Sequence, residues 1–427
     1  MKIRALLALA AGGSLLAGCA ASGAEPSSAN ATPPQSSARG GPAFPSTYRA
    51  YPSAPTAITG VTIFDGEGGR IDNGTVFMVD GKISSVGGPD TAIPGDATVV
   101  DGSGKYVTPG IIDVHSHLGD YPTPSVDAHS DGNEATSPVT PEVWAEHSVW
   151  PQDPGFSRAM ANGGITALQI LPGSANLFGG RSVVLKNVPA RSLAVERQTW
   201  IDAQEYRSKR NDAKPPKRDL GKETLAAVLD GDILVHNHCY RADEMAQIID
   251  MSKEFGYKVT AFHHAVESYK IADILAKEGI CSAVWADWWG FKMEAYDAIP
   301  ENAALLQKAG ACVIVHSDDE NQIQRLNQEA AKALADGRAM GIDISDAQAI
   351  QWITYNPAKA MGIEQMTGSL KPGKMADLVL WNGNPLSVYS RPDKVWIDGA
   401  LMFDSADAKR RPVSDFELGQ PGEGDVK

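Results

Sequence analysis

The sequence predicts an α/β protein: a (β/α)8-type, TIM-like barrel with a small β-sandwich formed by segments before and after it. Short apolar, strand-like runs alternate with helical stretches through the middle of the chain. Strand-like runs punctuated by turn residues lie on both sides of that middle part. The chain has 427 residues, which is enough for a barrel of about 250 residues and a smaller companion.

Seven runs are candidate barrel strands, one fewer than a closed barrel needs. They are Gly110–Val114, Ile165–Leu171, Ser182–Leu185, Ile233–Val235, Lys258–Phe262, Cys281–Val284 and Cys312–Val315. Residues 187–230 supply a polar segment near 195–210, two prolines and a helix over Lys222–Leu229, but no convincing strand. The fourth strand is therefore the one that the sequence does not provide, and we expect the barrel to be incomplete there.

The flanking runs predict the sandwich. Asp80-Gly81 and Asp101-Gly102 follow strand-like runs before the barrel, and Asp398-Gly399 follows one after it. We expect the earlier runs to form a small antiparallel sheet that the later runs complete. The predicted boundaries are 55–108 and 356–427 for the two parts of the sandwich and 109–355 for the barrel.

The first residues are typical of an exported bacterial lipoprotein. Lys2 and Arg4 precede an apolar run, Ala5–Leu16, that is shorter than the roughly 20 residues needed to cross a bilayer. Leu16-Ala17-Gly18-Cys19 resembles a lipobox in which the thiol of Cys19 accepts the lipid; an incidental cysteine after an ordinary signal is the alternative. Residues 1–19 are thus predicted to be the signal peptide. The expected location is the periplasmic face of a membrane, the outer membrane in particular, with contact only through the anchor.

Residues 20–54 are rich in Ala, Ser, Pro and Gly and poor in large apolar side chains, so they are predicted to be a disordered tether. The net charge of −14 disfavours binding to nucleic acid, which leaves a small-molecule substrate as the expected partner. Nothing in the sequence indicates an oligomeric state. Cys239, Cys281 and Cys312 lie in or just after apolar runs without CxxC spacing, which favours small buried side chains over disulfide or metal roles.

Histidines follow the apolar runs repeatedly. Seven of the nine lie at the ends of four runs: His115, His117, His236, His238, His263, His264 and His316. Two histidines at positions i and i+2 of a strand project to the same face and can bind one ion. Any one of them alone would more simply be a core or capping histidine, but active sites of such barrels lie at the strand ends. The repetition therefore favours a metal centre.

Asp318 follows the last of these runs, directly after His316-Ser317. A carboxylate can contact a metal and a water together, and it can accept a proton. The alternative is a helix N-cap.

Two motifs carry a resemblance to a known family. Tyr106–His117 resembles the entry to the first barrel strand of the amidohydrolase superfamily, and Asn356–Ile363 followed by Gly368–Val379 resembles that superfamily's return from barrel to sandwich. The similarity covers about 57–405, and the loop Leu171–Arg181 is similar to one in imidazolonepropionase-like members. It implies a metal-dependent hydrolase that cleaves an amide, cyclic amide or peptide carbon–nitrogen bond with a metal-activated water.

The resemblance also implies a ligand set. His115 and His117 would bind the more buried metal, His236 and His264 a second one, with His263 as the alternative to His264. Asp318 would close the site and transfer the proton. The implied cofactor is one or two divalent ions; zinc suits such ligands, and iron, manganese and cobalt are chemically admissible.

Substrate contacts are predicted for His238, Tyr240 and Arg241. Arg241 could pair with a substrate carboxylate, and a structural ion pair is an equal alternative. Trp285, Trp288 and Trp289 could wall a pocket, although packing against helices is the commoner use of such residues.

The sequence departs from the family where binuclear members carry a bridging carboxylate, usually at the fourth strand. Lys186 could bridge, but an ordinary lysine is the better interpretation, so a one-metal site is plausible. A catalytically impaired lipoprotein that binds a metal or ligand is therefore the alternative function. An interaction protein with structural metal is less favoured, because structural zinc sites are closed.

Overall fold

Three sheets make up the β-structure of the computed structural model, which describes residues 48–123, 132–188 and 219–412. The strands are β1 (Thr56–Phe64), β2 (Arg70–Val79), β3 (Lys82–Gly87), β4 (Thr98–Asp101), β5 (Tyr106–Pro109), β6 (Ile111–Ser116), β7 (Ile165–Ile170), β8 (Val183–Lys186), β9 (Val235–Cys239), β10 (Val259–His264), β11 (Cys281–Val284), β12 (Cys312–Val315), β13 (Leu378–Trp381), β14 (Pro392–Ile397) and β15 (Ala400–Asp404). The helices are α1 (Pro154–Gly163), α2 (Leu220–Leu229), α3 (Ala242–Phe255), α4 (Ala272–Glu278), α5 (Asn302–Lys308), α6 (Leu326–Ala339), α7 (Asp346–Gln351) and α8 (Tyr355–Ala360).

The runs on both sides of the middle part join in one eight-stranded sheet, in the order β15-β14-β13-β5-β1-β2-β3, with β4 also paired to β1. The antiparallel pair β5–β13 connects the early strands to the late ones. The expectation of a purely antiparallel early sheet is wrong, because β4 and β5 run parallel to β1. Tight turns make β2 antiparallel to β1 and β3 antiparallel to β2. The longer connection through residues 88–97 instead brings β4 alongside β1 with the same direction as β1.

Two Asp-Gly pairs form the turns that the sequence predicts. Asp80 and Gly81 have φ angles of 52° and 76°, and Asp398 and Gly399 have φ angles of 48° and 71°. Positive φ at both central residues defines the type I′ turn, which matches the twist of a hairpin. Asp tolerates this backbone and Gly adopts it without steric cost.

Each of the seven predicted barrel runs overlaps a strand of two further sheets, although the run Ile233–Val235 shares only Val235 with β9. One has the order β6-β7-β8 and the other the order β12-β11-β10-β9, with every pair in the second sheet parallel. One expectation is wrong: β8 runs antiparallel to β7. A parallel neighbour requires a crossover of a dozen or more residues, usually a helix, and the connection from β7 to β8 is a loop without one.

The two sheets are not joined into a closed ring by strand pairing within the described ranges. The fold is thus mixed α/β, and among the described strands β8 and β9 each come last in the strand order of their sheet. The interval where the fourth strand was expected, 189–218, lies outside the described residues, as do 1–47, the predicted signal and most of the tether. Among the described helices, none has the length and apolar character needed to span a bilayer.

Three of the strands in these two sheets are buried along their whole length. Every residue of β6, β7 and β11 is buried, as expected for parallel sheets covered on both faces. Phe262 and Trp352 are fully buried in the main core, and helix α1 begins at the cap residue Asp153, which accepts a hydrogen bond from Gly155 N–H.

Cys281 and Cys312 form a disulfide, which corrects the expectation of two separate buried thiols. They are register partners on β11 and β12, with their Cα atoms 4.4 Å apart. That separation is within the range a disulfide spans. Strand register is not visible in a spacing of two single cysteines, so the pairing was missed. Cys239 is a buried free thiol, as predicted.

Candidate metal centre

Strands from both of these sheets end at one cluster of histidines. β6 carries His115, β9 carries His236 and His238, and β10 carries His263 and His264. Asp318 follows β12, and its N–H donates a hydrogen bond to the carbonyl of His115 (3.1 Å). This bond places the end of β12 beside β6, so residues distant in sequence share one site.

The backbone is strained where β10 and β12 end. His264, Ala265 and Asp318 have φ angles of 67°, 39° and 53°, in the left-handed region that non-glycine residues avoid. Each such residue costs on the order of 1–3 kcal/mol, and such conformations cluster at functional sites. The strain coincides here with the residues that line the cluster.

His115, His117 and Asp318 form the first candidate metal-binding group. Oδ1 of Asp318 lies 3.1 Å from Nε2 of His115 and 3.2 Å from Nε2 of His117. The side chain of His115 is fully buried, and those of His117 and Asp318 are 15% and 19% exposed. The group is therefore nearly closed to water but keeps an open side.

A chain of hydrogen bonds fixes the tautomer of His115. Nε2 of His236 can only donate to the carbonyl of Ala360 (2.9 Å), so a neutral His236 accepts at Nδ1 from Nε2–H of His263 (2.8 Å). Nδ1 of a neutral His263 then accepts from Nδ1–H of His115 (2.7 Å). Burial lowers the pKa of all three rings, to about 4 for His236, which keeps them neutral. Nε2 of His115 is thus left with a lone pair.

His117 is fixed in the same way. Its Nδ1 lies 3.0 Å from the carbonyl of Leu171 and must donate to it, so the neutral ring also has a lone pair at Nε2. Two nitrogen lone pairs and the carboxylate oxygen of Asp318 therefore converge, with no proton between them when the rings are neutral. Three acceptors at about 3 Å repel one another unless a cation binds, so this donor set fits a divalent metal ion.

A second candidate group combines His115 with His238 and His264. Nδ1 of His264 lies 3.8 Å from Oδ2 of Asp318. Nδ1 of His238 and Nδ1 of His264 are buried and have no hydrogen-bond partner among the described residues. Burial lowers the pKa of His238 to about 3 and that of His264 well below its usual value. Both rings are neutral and offer free nitrogens.

The carboxylate of Asp318 is held ionised. Burial alone would raise its pKa, but His115 and His117 hold the pKa of Asp318 far below its usual range. Burial lowers the pKa of His117, and the contact with Asp318 more than reverses that effect. The ionised carboxylate thus favours a positive charge beside it, which either a proton on His117 or a bound cation supplies.

The structure differs from the implied roles of His236 and His238. Both ring nitrogens of His236 are engaged, by His263 and Ala360, so His236 is one step removed from the cluster, whereas His238 belongs to the second group. Both residues lie on β9 and project to the same face of the strand, so strand geometry alone could not tell which of them is placed to bind a metal. Likewise, His264 belongs to a candidate group, and His263 instead bonds to His115 and His236.

The other predicted residues lie in different surroundings. The ring of Tyr240 lies 4.9 Å from that of His264, beside the cluster. Arg241 is half-exposed and forms a bidentate ion pair with Asp243 (3.0 and 2.9 Å), so its side chain is directed into a surface pair. Nζ of Lys186 lies 2.5 Å from Asp377 and 3.4 Å from Asp398, which is a structural contact with the eight-stranded sheet.

Two residues at the site received no role from the sequence. His316 is buried, its ring stacks on that of His115 (centroids 5.0 Å apart), and neither of its ring nitrogens has a partner within the described ranges. Asp113 is fully buried, accepts a hydrogen bond from the hydroxyl of Ser317 (2.5 Å), and burial raises its pKa to about 7. Asp113 ties β6 to the segment that carries Asp318.

Comparisons with known proteins show which family the chain is similar to. A family model described as the amidohydrolase family matches residues 211–402. An amidohydrolase of Thermotoga maritima has a solved structure with a TM-score of 0.71 and 30% identity, covering 82% of this chain and 100% of that one. The amidohydrolase tasK of Hapsidospora irregularis is 29% identical over 408 residues, 80% of this chain and 40% of that protein. The imidazolonepropionase of Geobacillus kaustophilus is 23% identical over 74% of this chain and 85% of its own length.

The chain belongs to the amidohydrolase family. The class is that of hydrolases acting on carbon–nitrogen bonds, which confirms the expectation drawn from the sequence motifs. The chain spans less than half of the Hapsidospora protein, whose further residues have no counterpart in that match.

Proposed function

We propose that this protein hydrolyses an amide, cyclic amide or peptide bond of a small substrate, using a divalent metal held by His115, His117, His238, His264 and Asp318. The observation that carries the proposal is the convergence of Nε2 of His115, Nε2 of His117 and Oδ1 of Asp318 at 3.1–3.2 Å. Zinc suits this set of imidazoles with one carboxylate. The two candidate groups share His115, which is compatible with one ion or two.

A metal ion in this site would supply a Lewis acid that polarises a carbonyl group and makes water acidic enough to attack at neutral pH. The chain's own part is to position and to move protons. His115 is oriented by the bond to His263, and His117 by the bond to Leu171, so both present Nε2 to the same point. Burial of the rings keeps competing water away.

Asp318 is the proposed proton carrier. Its carboxylate is ionised, acceptor-only and 19% exposed, so it can take a proton from the attacking water. Return of that proton to the departing nitrogen completes the cleavage: a C–O bond forms, the C–N bond breaks, and the water is divided between the two products. Oδ2 of Asp318 is the oxygen less closely contacted by His115 and His117.

We further propose that the sheets β6-β7-β8 and β12-β11-β10-β9 are parts of one barrel wall. Three observations support it: β6 and β12 meet through the Asp318–His115 backbone bond, both sheets contribute to one cluster, and the parallel strands alternate with helices. The predicted boundaries of barrel and sandwich stay predictions.

Export and lipid attachment at Cys19 are proposals as well. The lipobox-like sequence Leu16–Cys19 supports them, and the Cys281–Cys312 disulfide is consistent with an oxidising compartment such as the periplasm. Incorporation of labelled palmitate into the wild type but not into Cys19→Ser would support the anchor. Equal incorporation into both would contradict it.

One observation favours the alternative of an impaired, metal-binding lipoprotein. Lys186, the candidate bridging lysine, is paired with Asp377 and Asp398 and does not reach the cluster. Elemental analysis of the purified protein, together with a panel of N-acyl amino acids, dipeptides and cyclic amides, separates the two functions. We expect one or two equivalents of metal and turnover that disappears in the double variant His115→Ala/His117→Ala. Metal without turnover would favour the binding protein, and absence of metal would contradict both.

A further inference from the structure

A cavity of about 220 Å³ opens beside the metal centre and is walled by aromatic and aliphatic side chains. Its lining includes His264, Val266, Trp285, Trp288, Ile299 and Pro300. Since His264 belongs both to this lining and to the second candidate metal group, the cavity adjoins the proposed site of bond cleavage.

The aromatic wall is a stack of three rings. The rings of His264 and Trp285 are 4.4 Å apart at 21°, and those of Trp285 and Trp288 are 4.8 Å apart at 11°. Phe291 meets Trp285 and Trp288 edge-on, at 5.5 and 5.8 Å. Each ring is therefore held by its neighbours, so the wall is preformed, which limits the entropy lost on binding.

Two polar side chains of the cavity lining, those of Asp287 and Asn302, are already committed. Asp287 is paired with Lys332 (2.8 Å). The amide of Asn302 donates to the carbonyls of Ala265 and Val266 and accepts from Ser268. A charged ligand group placed here would lose its hydration without gaining an uncommitted ion partner from Asp287.

The indole nitrogens divide into two sets. Trp288 Nε1–H donates to Gln322 (3.2 Å), and Trp289 Nε1–H donates to the carbonyl of Tyr296 (2.7 Å). Nε1 of Trp285 is buried without an acceptor among the described residues. The wall thus combines a neutral apolar face with one uncommitted donor.

We propose that this cavity binds a neutral aromatic group of the substrate and so sets specificity, with the scissile carbon–nitrogen bond at the adjoining histidine cluster. The volume suits one or two fused rings, since a cavity of about 150 Å³ accepts benzene. The inference rests on the proposed hydrolase function and adds the substrate class: amides or cyclic amides that carry an uncharged aromatic arm.

Binding of indole tests the cavity without requiring turnover. We expect the wild type to bind indole more tightly than benzoate, which has a ring of smaller size and a charge. Trp288→Ala should weaken indole binding about tenfold or more, as measured by calorimetry. Trp150→Ala is the matched control, because Trp150 is also partly exposed but is not among the cavity's lining residues. The affinity of this variant for indole should stay within about twofold of that of the wild type.

A measurement on the unaltered protein guards against misfolding of the variant. Nuclear Overhauser contacts are expected between indole protons and the methyl groups of Val266 and Ile299, both of which line the cavity. No indole binding, binding without these contacts, or equal binding by the wild type and a folded Trp288→Ala would overturn the proposal.

Kinetics distinguish failure of this inference from failure of the hydrolase function. We expect kcat/KM to be higher for N-acetylphenylalanine amide than for N-acetylalanine amide, and this ratio to fall about tenfold in Trp288→Ala. Hydrolysis of both amides at similar rates would sustain the function and reject the aromatic cavity. Indole binding with the expected contacts, but no cleavage of any carbon–nitrogen substrate by the metal-loaded protein, would sustain the cavity and reject the function.

Discussion

Nδ1 of His236 lies 2.8 Å from Nε2 of His263, and this hydrogen bond separates the roles of two histidines on the same strand. With its other nitrogen bonded to Ala360, His236 has no lone pair free for a metal, whereas Nδ1 of His238 is buried without a partner within the described ranges. His236 therefore positions His263 and, through it, His115. His238 is placed to bind the ion directly.

The two histidines should respond differently to substitution. We expect His238→Ala to lose the metal that the second candidate group would hold, and His236→Ala to retain metal with affinity about 10–100-fold weaker, the usual effect of removing an outer hydrogen-bond partner. Metal content and dissociation constants of the two purified variants provide the measurement. His147→Ala is the control, since His147 stacks on Trp144 and is in neither candidate group. Loss of metal in His236→Ala alone would return His236 to the ligand set that the family resemblance implies.

Asp318→Asn should abolish proton transfer while keeping the local backbone. Asn tolerates the left-handed conformation that Asp318 adopts (φ 53°), but its amide cannot accept the proton. We expect kcat to fall by about 10²–10⁴-fold, the usual contribution of a general acid–base group. Steady-state kinetics with any turned-over amide measure it.

Asp319→Asn is the matched control for Asp318→Asn. Oδ1 of Asp319 accepts hydrogen bonds from the N–H groups of Asn321 and Gln322, a capping role that Asn can also fill. Its activity should stay close to wild type. Comparable losses in both variants would show that the segment's fold, rather than the proton carrier, had been disturbed.

Most strand positions were readable from the sequence because buried strands are continuous apolar runs, and the seven runs overlap β6–β12; the run before β9 shares only Val235 with it. The histidines followed because they lie on or just after those runs. The direction of β8, the mixed pairing of β4 and β5, and the disulfide were not readable, since each depends on which strands become neighbours and in what register. Local patterns contain no such information.

The roles within the cluster were also beyond the sequence. His236 and His238 have the same strand facing, and only the bonds to His263 and Ala360 tell them apart. As an arginine, Arg241 could pair with a carboxylate of the substrate. In the structure it pairs instead with Asp243, two residues away. Side-chain chemistry narrows the candidates, and three-dimensional neighbours decide among them.

The disulfide should stabilise the fold. Cys281 and Cys312 are 31 residues apart. Closing a loop of that size lowers the entropy of the unfolded chain, which raises the free energy of unfolding by about 3–4 kcal/mol. We expect the double variant Cys281→Ala/Cys312→Ala to lose about that much free energy of unfolding in urea titrations. Reductant should destabilise the wild type and leave the double variant unchanged. Equal sensitivity of both proteins to reductant would contradict a stabilising disulfide.

Lys186 provides the test of a bridging role against a structural one. Its ammonium group is paired with Asp377 and Asp398, both buried, and Asp377 also accepts a hydrogen bond from Thr367 (2.6 Å). Lys186→Met keeps the length of the side chain but leaves two buried carboxylates without their cation, which should cost about 3–5 kcal/mol of unfolding free energy. Because Lys186 does not reach the histidine cluster, metal content should be unchanged in the folded variant. A fall in bound metal without loss of stability would instead make Lys186 a ligand and restore a two-metal site bridged by this lysine.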